Sequence, residues 1–356
     1  MSELIRAEIR ALSAYHVPDP GEMIKLDAME NPFHLPDGLI RQWQDLMRDV
    51  PLNRYPDPSA RELTRRLREV MDVPEGQAVI LGNGSDELIQ IMAMSVAEKG
   101  RVIMAPEPGF VMYKMIATFV AMDYVGVPLN TDFSLDLEAM LAAIKQHQPA
   151  LIFLAYPNNP TANLFDEAAI VEIIKASPGL VVIDEAYHPF ACTSFMGRLG
   201  EFDNLLVMRT VSKMGLAGLR LGLLAGPEKW LAEFDKVRLP YNINVLTQMT
   251  ASFVLQHADV FEQQAKTIRQ QREWLLTELA AFDGLEVFPS RANFILVRLK
   301  VGDANAVFAA LKDAGILIKN LHPSGGMLEQ CLRITVGTPE ENQALLVSLN
   351  KILLAG

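Results

Sequence analysis

Cysteine is almost missing from this chain. The only two, Cys192 and Cys331, stand far apart and form neither a CxxC pair nor a Cys/His spacing suited to zinc. That argues against a disulfide scaffold and a metal site; two buried free thiols in a reducing compartment are the expectation. Positive charge is also scarce: 32 Lys and Arg face 43 Asp and Glu, for a formal net charge of -11. Such a chain is not drawn non-specifically to nucleic acid or to an anionic membrane, so any anionic ligand must be held by local positive groups. No uncharged apolar run is long enough to cross a bilayer. The N-terminal MSELIRAEIRALSAY carries charges every few residues and lacks an apolar h-region, so a signal peptide is not expected and the cytoplasm is. There is no Walker A sequence and no GxGxxG, which leaves nucleotide binding without support. Repeats and low-complexity linkers are missing as well.

What the chain does have is 356 residues, half of them hydrophobic and 21% charged, the balance of a globular protein of about two domains. Residues 78 to 230 alternate short apolar runs with helical periods. Examples are Arg101-Val-Ile-Met-Ala105 before a helical Phe110 to Met122, and Ala150-Leu-Ile-Phe-Leu-Ala155 before Asp166 to Ala176. Strand alternating with helix predicts parallel pairing in an α/β sheet covered on both faces. From about Asn244 one long helical segment is expected to reach Phe282. The runs Asn293 to Arg298, Ile316 to Lys319 and Cys331 to Val336 then predict a smaller α+β domain. The expected division is an N-terminal arm at 1–45 packed on the small domain, a large domain at 46–243 and the small domain at 244–356.

Ligands of open parallel sheets bind outside the carboxyl ends of the strands, so the residues just after each strand matter most. Gly82-Asn-Gly-Ser-Asp-Glu87 enters a helix, where the N–H groups of Gly84, Ser85 and Asp86 are placed to hold a phosphate; on this segment alone an ordinary capped glycine turn is the simpler reading. Tyr156-Pro-Asn-Asn-Pro-Thr161 presents Asn159 on a rigid turn. Leu180-Val-Val-Ile-Asp-Glu-Ala-Tyr187 drives Asp184 straight off an apolar strand, which is costly unless the acid meets a cation. A protonated pyridine nitrogen is such a cation, with Tyr187 in reach of the adjacent phenolic oxygen; a buried structural acid and a core tyrosine are the alternative. Lys213, in Thr210-Val-Ser-Lys213, follows the apolar run Leu205-Leu-Val-Met208. Desolvation there lowers the lysine pKa and makes the amine able to condense with an aldehyde, whereas a snorkelling lysine would sit the same way. Together, a phosphate cradle, a hydrogen-bonding Asn, an acid for a pyridinium and a lysine with Ser212 and Arg220 nearby are the parts that pyridoxal phosphate requires.

The ordered motifs Leu52-Asn-Arg-Tyr-Pro56, GNGSDE, PNNPT, DEAY, TVSK, AGLRLG and LRITVGT resemble the fold-type I, class I/II aminotransferases, most closely their histidinol-phosphate aminotransferase subfamily. The resemblance implies an α/β fold, a large domain with a mostly parallel central sheet flanked by helices plus a smaller α+β domain. It implies pyridoxal 5'-phosphate as cofactor, a homodimer with shared active sites, and catalysis by Lys213, Asp184 and Tyr187. It further implies that Gly84, Ser85, Asp86, Ser212 and Arg220 hold the cofactor phosphate, that Phe110 stacks on the ring, and that Asn159 and Tyr187 bind the ring oxygen. Tyr55 would reach the neighbouring subunit's site. Tyr15, Tyr55, Asn159, Lys319 and Arg333 would bind substrate, Arg333 gripping a carboxylate and Lys319 a phosphate where many relatives carry Arg. The expected reaction is transamination between L-histidinol phosphate and 2-oxoglutarate in histidine biosynthesis. An aromatic amino-acid aminotransferase and a threonine-phosphate decarboxylase are the rivals. Two departures bear on the site: Ala162 stands where relatives usually have Gly, and the segment from Lys213 to Arg220 is one residue shorter than in the commoner form.

Overall fold

The computed structural model describes residues 4–14 and 17–355. Its centre is a seven-stranded sheet in the order Ala78–Gly82, Gly222–Gly226, Leu205–Thr210, Leu180–Asp184, Leu151–Ala155, Val102–Glu107, Asp123–Pro128. Along the inner strands, alternate side chains enter different clusters. Ile152, Leu154, Val181, Ile183, Leu205 and Val207 pack beneath helices Arg61–Val70, Leu137–His147 and Glu167–Ala176, whereas Leu151, Phe153, Val182, Leu206 and Met208 pack beneath Gly84–Val96, Val111–Phe119 and Glu228–Asp235. The continuous apolar runs of the sequence are thus period-two strands buried on both faces, each fully buried Leu, Ile or Val contributing about 1.5–3 kcal/mol.

Pairing is parallel from Val102–Glu107 and its neighbours through to Leu205–Thr210, as the alternation predicts. Gly222–Gly226 departs from it and pairs antiparallel with both Leu205–Thr210 and Ala78–Gly82. The connection between Thr210 and Gly222 is too short for the crossover that parallel pairing needs. Two successive reversals restore direction, so Ala78–Gly82 ends on the same edge as the parallel strands. Gly82 and Thr210 both register on Gly222, while Ala155 registers on Asp184.

The second sheet is antiparallel, in the order Lys319–Asn320, Cys331–Thr335, Phe294–Leu299, Leu285–Val287, and is backed by Ala258–Ala280, Ala304–Asp313 and Pro339–Ala355. The N-terminal strand Ile24–Lys25 pairs with Ile316–Leu317 beside it. The single helix expected from Asn244 to Phe282 is two: Val245–Val254 and Ala258–Ala280, separated by a 3-10 turn at Leu255–His257. Periodicity alone did not reveal the break because the two halves bury different faces. Ala251, Val254 and Leu255 join the core of the large sheet, and Ile268, Leu275 and Leu279 join that of the small one. Helix Asp37–Met47 also lies against Val245–Val254, with Trp43 Nε1 donating to Thr250 Oγ1 at 2.9 Å. Among the described residues no helix is long and apolar enough to cross a membrane.

Candidate active site

The carboxyl ends of the strands converge on a cavity lined by Ser85, Asp86, Phe110, Asn159, Asp184, Tyr187, Ser212, Lys213 and Arg220, with Met29 and Thr210 beside them. These residues come from six segments that are distant in the chain.

Lys213 sits in a 3-10 turn, Ser212–Met214, straight after its strand. Nζ donates to the carbonyl of Ala28 at 3.2 Å and lies 5.7 Å from the centre of the Tyr187 ring. Burial, then the positive charge of Arg333, push its pKa down to about 8, so half the amine is neutral near that pH. Asp184 is 3% exposed. Burial pushes its carboxyl up to about 6, and among the described residues no cation forms an ion pair with it. Oδ2 accepts from the hydroxyl of Tyr113 at 2.7 Å and Oδ1 from the N–H of Ala186 at 3.1 Å. Tyr187 is buried against Phe294, and its hydroxyl lies 3.4 Å from the sulfur of Met29.

At the other end is a cradle. Gly84 begins the helix Gly84–Val96 with φ +79°, and a Cβ there would stand 2.7 Å from Arg220 Nη2. A Cβ on Gly222 would stand 2.6 Å from the backbone of Gly84. Only glycine admits this approach of strand, turn and guanidinium. Arg220, half exposed, reaches Ser212 Oγ at 3.4 Å and Asp86 Oδ2 at 3.5 Å; Ser212 Oγ in turn accepts from Thr210 Oγ1 at 2.8 Å. Burial holds the Asp86 carboxyl above its usual range, opposed by Arg220 and Lys213. The shortened segment is accommodated by two 3-10 turns, Ser212–Met214 and Ala217–Leu219, with Gly215 at φ +129° between them and Arg220 at φ +47°. Ala162, the other departure, adopts φ +65°, a conformation that favours glycine.

Arg333 is buried on strand Cys331–Thr335. Nη1 donates to Asn159 Oδ1 at 2.7 Å and Nη2 to the carbonyl of Asp27 at 2.9 Å. Lys319 is its direct partner on the neighbouring antiparallel strand, so both cations stand on one face of the sheet. Tyr55 lies elsewhere: it is 81% exposed and stacked on Tyr241 with ring centres 4.5 Å apart. Tyr15 falls outside the described residues.

Sequence reasoning missed Tyr113, Thr210 and the carbonyls of Asp27 and Ala28. Tyr113 reads as one more apolar position of a helix, and a carbonyl carries no residue signature. Among the described residues no three His, Cys, Asp or Glu are grouped to hold a metal ion.

The residues fit a phosphorylated pyridine aldehyde. N–H groups, a hydroxyl and a guanidinium form a cradle from which a side chain at 84 is excluded, a buried carboxylate has no ion-pair partner among the described residues, and an amine of depressed pKa lines the same cavity. A fold with a phosphate cradle and a lysine at the carboxyl ends of its strands defines the class of a pyridoxal phosphate enzyme. The chain matches the sequence profile of aminotransferase class I and II over residues 21–349 and belongs to that family. It is 53% identical over 349 residues, covering 98% of this chain and 97% of the relative, to histidinol-phosphate aminotransferase 2 of Nitrosococcus oceani. It is 54% identical over 351 residues, with 97% and 93% covered, to histidinol-phosphate aminotransferase 1 of Ralstonia nicotianae. Among solved structures, the histidinol-phosphate aminotransferase of Sinorhizobium meliloti in complex with pyridoxal-5'-phosphate shares the fold at TM-score 0.87 and 24% identity, covering 100% of this chain and 98% of that one. The L-threonine-O-3-phosphate decarboxylase of Porphyromonas gingivalis shares it at TM-score 0.80 and 23% identity, with 93% and 100% covered.

Proposed function

We propose that this chain uses pyridoxal 5'-phosphate to transfer the amino group between L-histidinol phosphate and 2-oxoglutarate, giving imidazole acetol phosphate and L-glutamate in histidine biosynthesis. Two things support it: identity above 50% to relatives of that name over nearly the whole chain, and the cross-strand register of Lys319 on Arg333. That register is the structural observation that carries the substrate. It pairs a planar guanidinium, suited to the carboxylate of glutamate, with a second cation for a phosphate.

When bound, pyridoxal phosphate supplies an electrophilic carbonyl for the amino group and a ring that takes up the electron pair released at the substrate α-carbon. The neutral fraction of Lys213 Nζ accepts the α-proton and returns it, its depressed pKa making it a base near neutrality. Asp184 would keep a proton on the ring nitrogen. Asn159 and Tyr187 would hydrogen-bond the ring oxygen, and Phe110 would pack against the ring. Gly84, Ser85, Ser212 and Arg220 would hold the cofactor phosphate, with Asp86 orienting Arg220. Arg333, fixed by Asn159 and the Asp27 carbonyl, receives the substrate anion, and Lys319 completes the phosphate end.

The chain acts in the cytoplasm as a homodimer, Tyr55 of one subunit entering the site of the other. The exposure of Tyr55 together with Leu52, Leu239 and Tyr241, away from their own cavity, supports this. Sedimentation of the holoenzyme tests the dimer. Single-turnover spectra test the substrate: cofactor-loaded protein without keto acid is mixed with histidinol phosphate, phenylalanine or glutamate. Histidinol phosphate and glutamate are expected to discharge the cofactor absorbance quickly and phenylalanine slowly. Equal rates for phenylalanine and histidinol phosphate would move the assignment to an aromatic aminotransferase, and carbon dioxide release from threonine phosphate to a decarboxylase.

A further inference from the structure

Both oxygens of the Asp184 carboxylate accept a hydrogen bond, one from the cavity wall and one from a residue outside the cavity lining. The N–H of Ala186 serves Oδ1, and the hydroxyl of Tyr113 serves Oδ2 at 2.7 Å. Tyr113 is 1% exposed and sits on Val111–Phe119, the helix that covers the sheet face to which Phe153 and Val182 point. Strand alternation puts Asp184 on that same face, two residues beyond Val182. The Tyr113 ring is stacked on Phe153, centres 4.7 Å apart at 9°, and meets Phe110 edge-on at 5.4 Å and 86°. Packing on a face and an edge leaves the phenol no room to turn, so its hydroxyl is delivered to one place. A phenol O–H buried among apolar side chains without an acceptor is costly; here the acid is that acceptor.

We propose that Tyr113 is a positioning residue for Asp184: its hydroxyl fixes the carboxylate rotamer, sustains its charge, and leaves the other lone pairs facing the cavity. This rests on reading the cavity as a pyridoxal phosphate site in which Asp184 meets the ring nitrogen. The same tyrosine touches Phe110, so one rigid side chain sets both the acid and the residue that covers the ring.

The electrostatics agree. Burial pushes the Asp184 carboxyl up to about 6, the hydrogen bonds from Tyr113 and Ala186 oppose that rise, and the carboxylates of Asp86 and Glu185 add to it. Tyr187, Lys213 and Arg220 face the same cavity. Without the hydroxyl, Asp184 takes up its own proton more readily and is a weaker partner for a protonated ring nitrogen. Substrate contacts are untouched, so kcat falls and KM does not.

The test is Tyr113→Phe, which keeps the ring and its stacking. In cofactor-free protein labelled at the aspartate carboxyl carbon, with Asp184→Asn identifying the resonance, the Asp184 midpoint is expected to rise by about one to two pH units, as loss of one hydrogen bond to a charged group predicts. In protein loaded with ring-15N pyridoxal phosphate, the nitrogen signal is expected to move toward the unprotonated position, with kcat down at least tenfold and KM within twofold. An unchanged Asp184 midpoint, or a shifted midpoint with unchanged ring nitrogen and kcat, overturns the proposal. The double variant Tyr113→Phe with Asp184→Asn carries no charge at position 184 and serves as well if the single variant folds poorly. Its kcat is expected to equal that of Asp184→Asn alone, and a further tenfold loss would assign Tyr113 a role that does not pass through Asp184. Wild-type protein that acquires no cofactor absorbance would refute the cofactor reading instead, while the cofactor-free titration still decides the Tyr113–Asp184 link.

Discussion

Replacing Lys213 by methionine should make the cofactor-free protein more stable at pH 7. The ammonium is held in a cavity where burial and Arg333 lower its pKa from an ordinary 10.5 to about 8. At about 1.4 kcal/mol per pH unit, keeping it charged opposes folding by about 3 kcal/mol. The wild-type side chain recovers part of that, about 1 kcal/mol, through its hydrogen bond to the Ala28 carbonyl at 3.2 Å. Methionine keeps the length and loses both terms, for a net gain of about 2 kcal/mol at neutral pH. The sign follows from proton counting. The folded-state pKa is depressed, so between about 8 and 10.5 the unfolded chain binds more protons than the native one. Wild-type stability from this group therefore rises with pH across that window, and its deficit is fully present below pH 8. Urea denaturation of cofactor-free wild type and Lys213→Met at pH 7 and at pH 10.5 measures the difference, the midpoints being read at equal slope. A gain at pH 7 that vanishes at pH 10.5 agrees with a desolvated ammonium. Equal stability at pH 7, or a gain that persists unchanged at pH 10.5, refutes it, because packing alone does not titrate.

Asp184→Asn reverses the sign: the wild-type carboxyl, raised from 3.8 to about 6, costs cofactor-free protein about 3 kcal/mol as pH rises from 4 to 7, and the variant should lack that loss in the same denaturation series while losing most transamination. Gly84→Ala puts a methyl 2.7 Å from Arg220 Nη2 at φ +79°, so the dissociation constant for pyridoxal phosphate, followed by equilibrium dialysis, should rise at least tenfold. Lys319→Met should raise KM for histidinol phosphate about tenfold, with the glutamate half-reaction nearly unchanged, as loss of one phosphate contact predicts. Ala162→Gly should alter the melting free energy by less than about 1 kcal/mol, since relief of a left-handed alanine is offset by the lost methyl and by a more flexible unfolded chain.

The strands at 102–107, 151–155 and 180–184 were legible because residues buried on both faces have to be apolar throughout, and the acid or amine at the end of such a run has no packing reason to be there. That rule singled out Asp184 and Lys213, and the glycine turn before a helix singled out Gly84 to Asp86. Of these, Ser85, Asp86, Asp184 and Lys213 line one cavity. The break at Leu255–His257 was hidden, because a 3.6-residue period reports that a helix has a buried face and not which core receives it. The reversed strand Gly222–Gly226 was hidden too, for apolar content does not encode direction.

By itself, then, the sequence determined which residue types stand at the carboxyl ends of the strands, since burial and turn geometry act over a few neighbouring residues. Tertiary structure alone decided what those residues face. The Lys319–Arg333 register, the Arg333–Asn159 contact and the Tyr113–Asp184 hydrogen bond join positions up to 174 residues apart. Contacts of that separation depend on strand order and helix packing, which no local pattern carries.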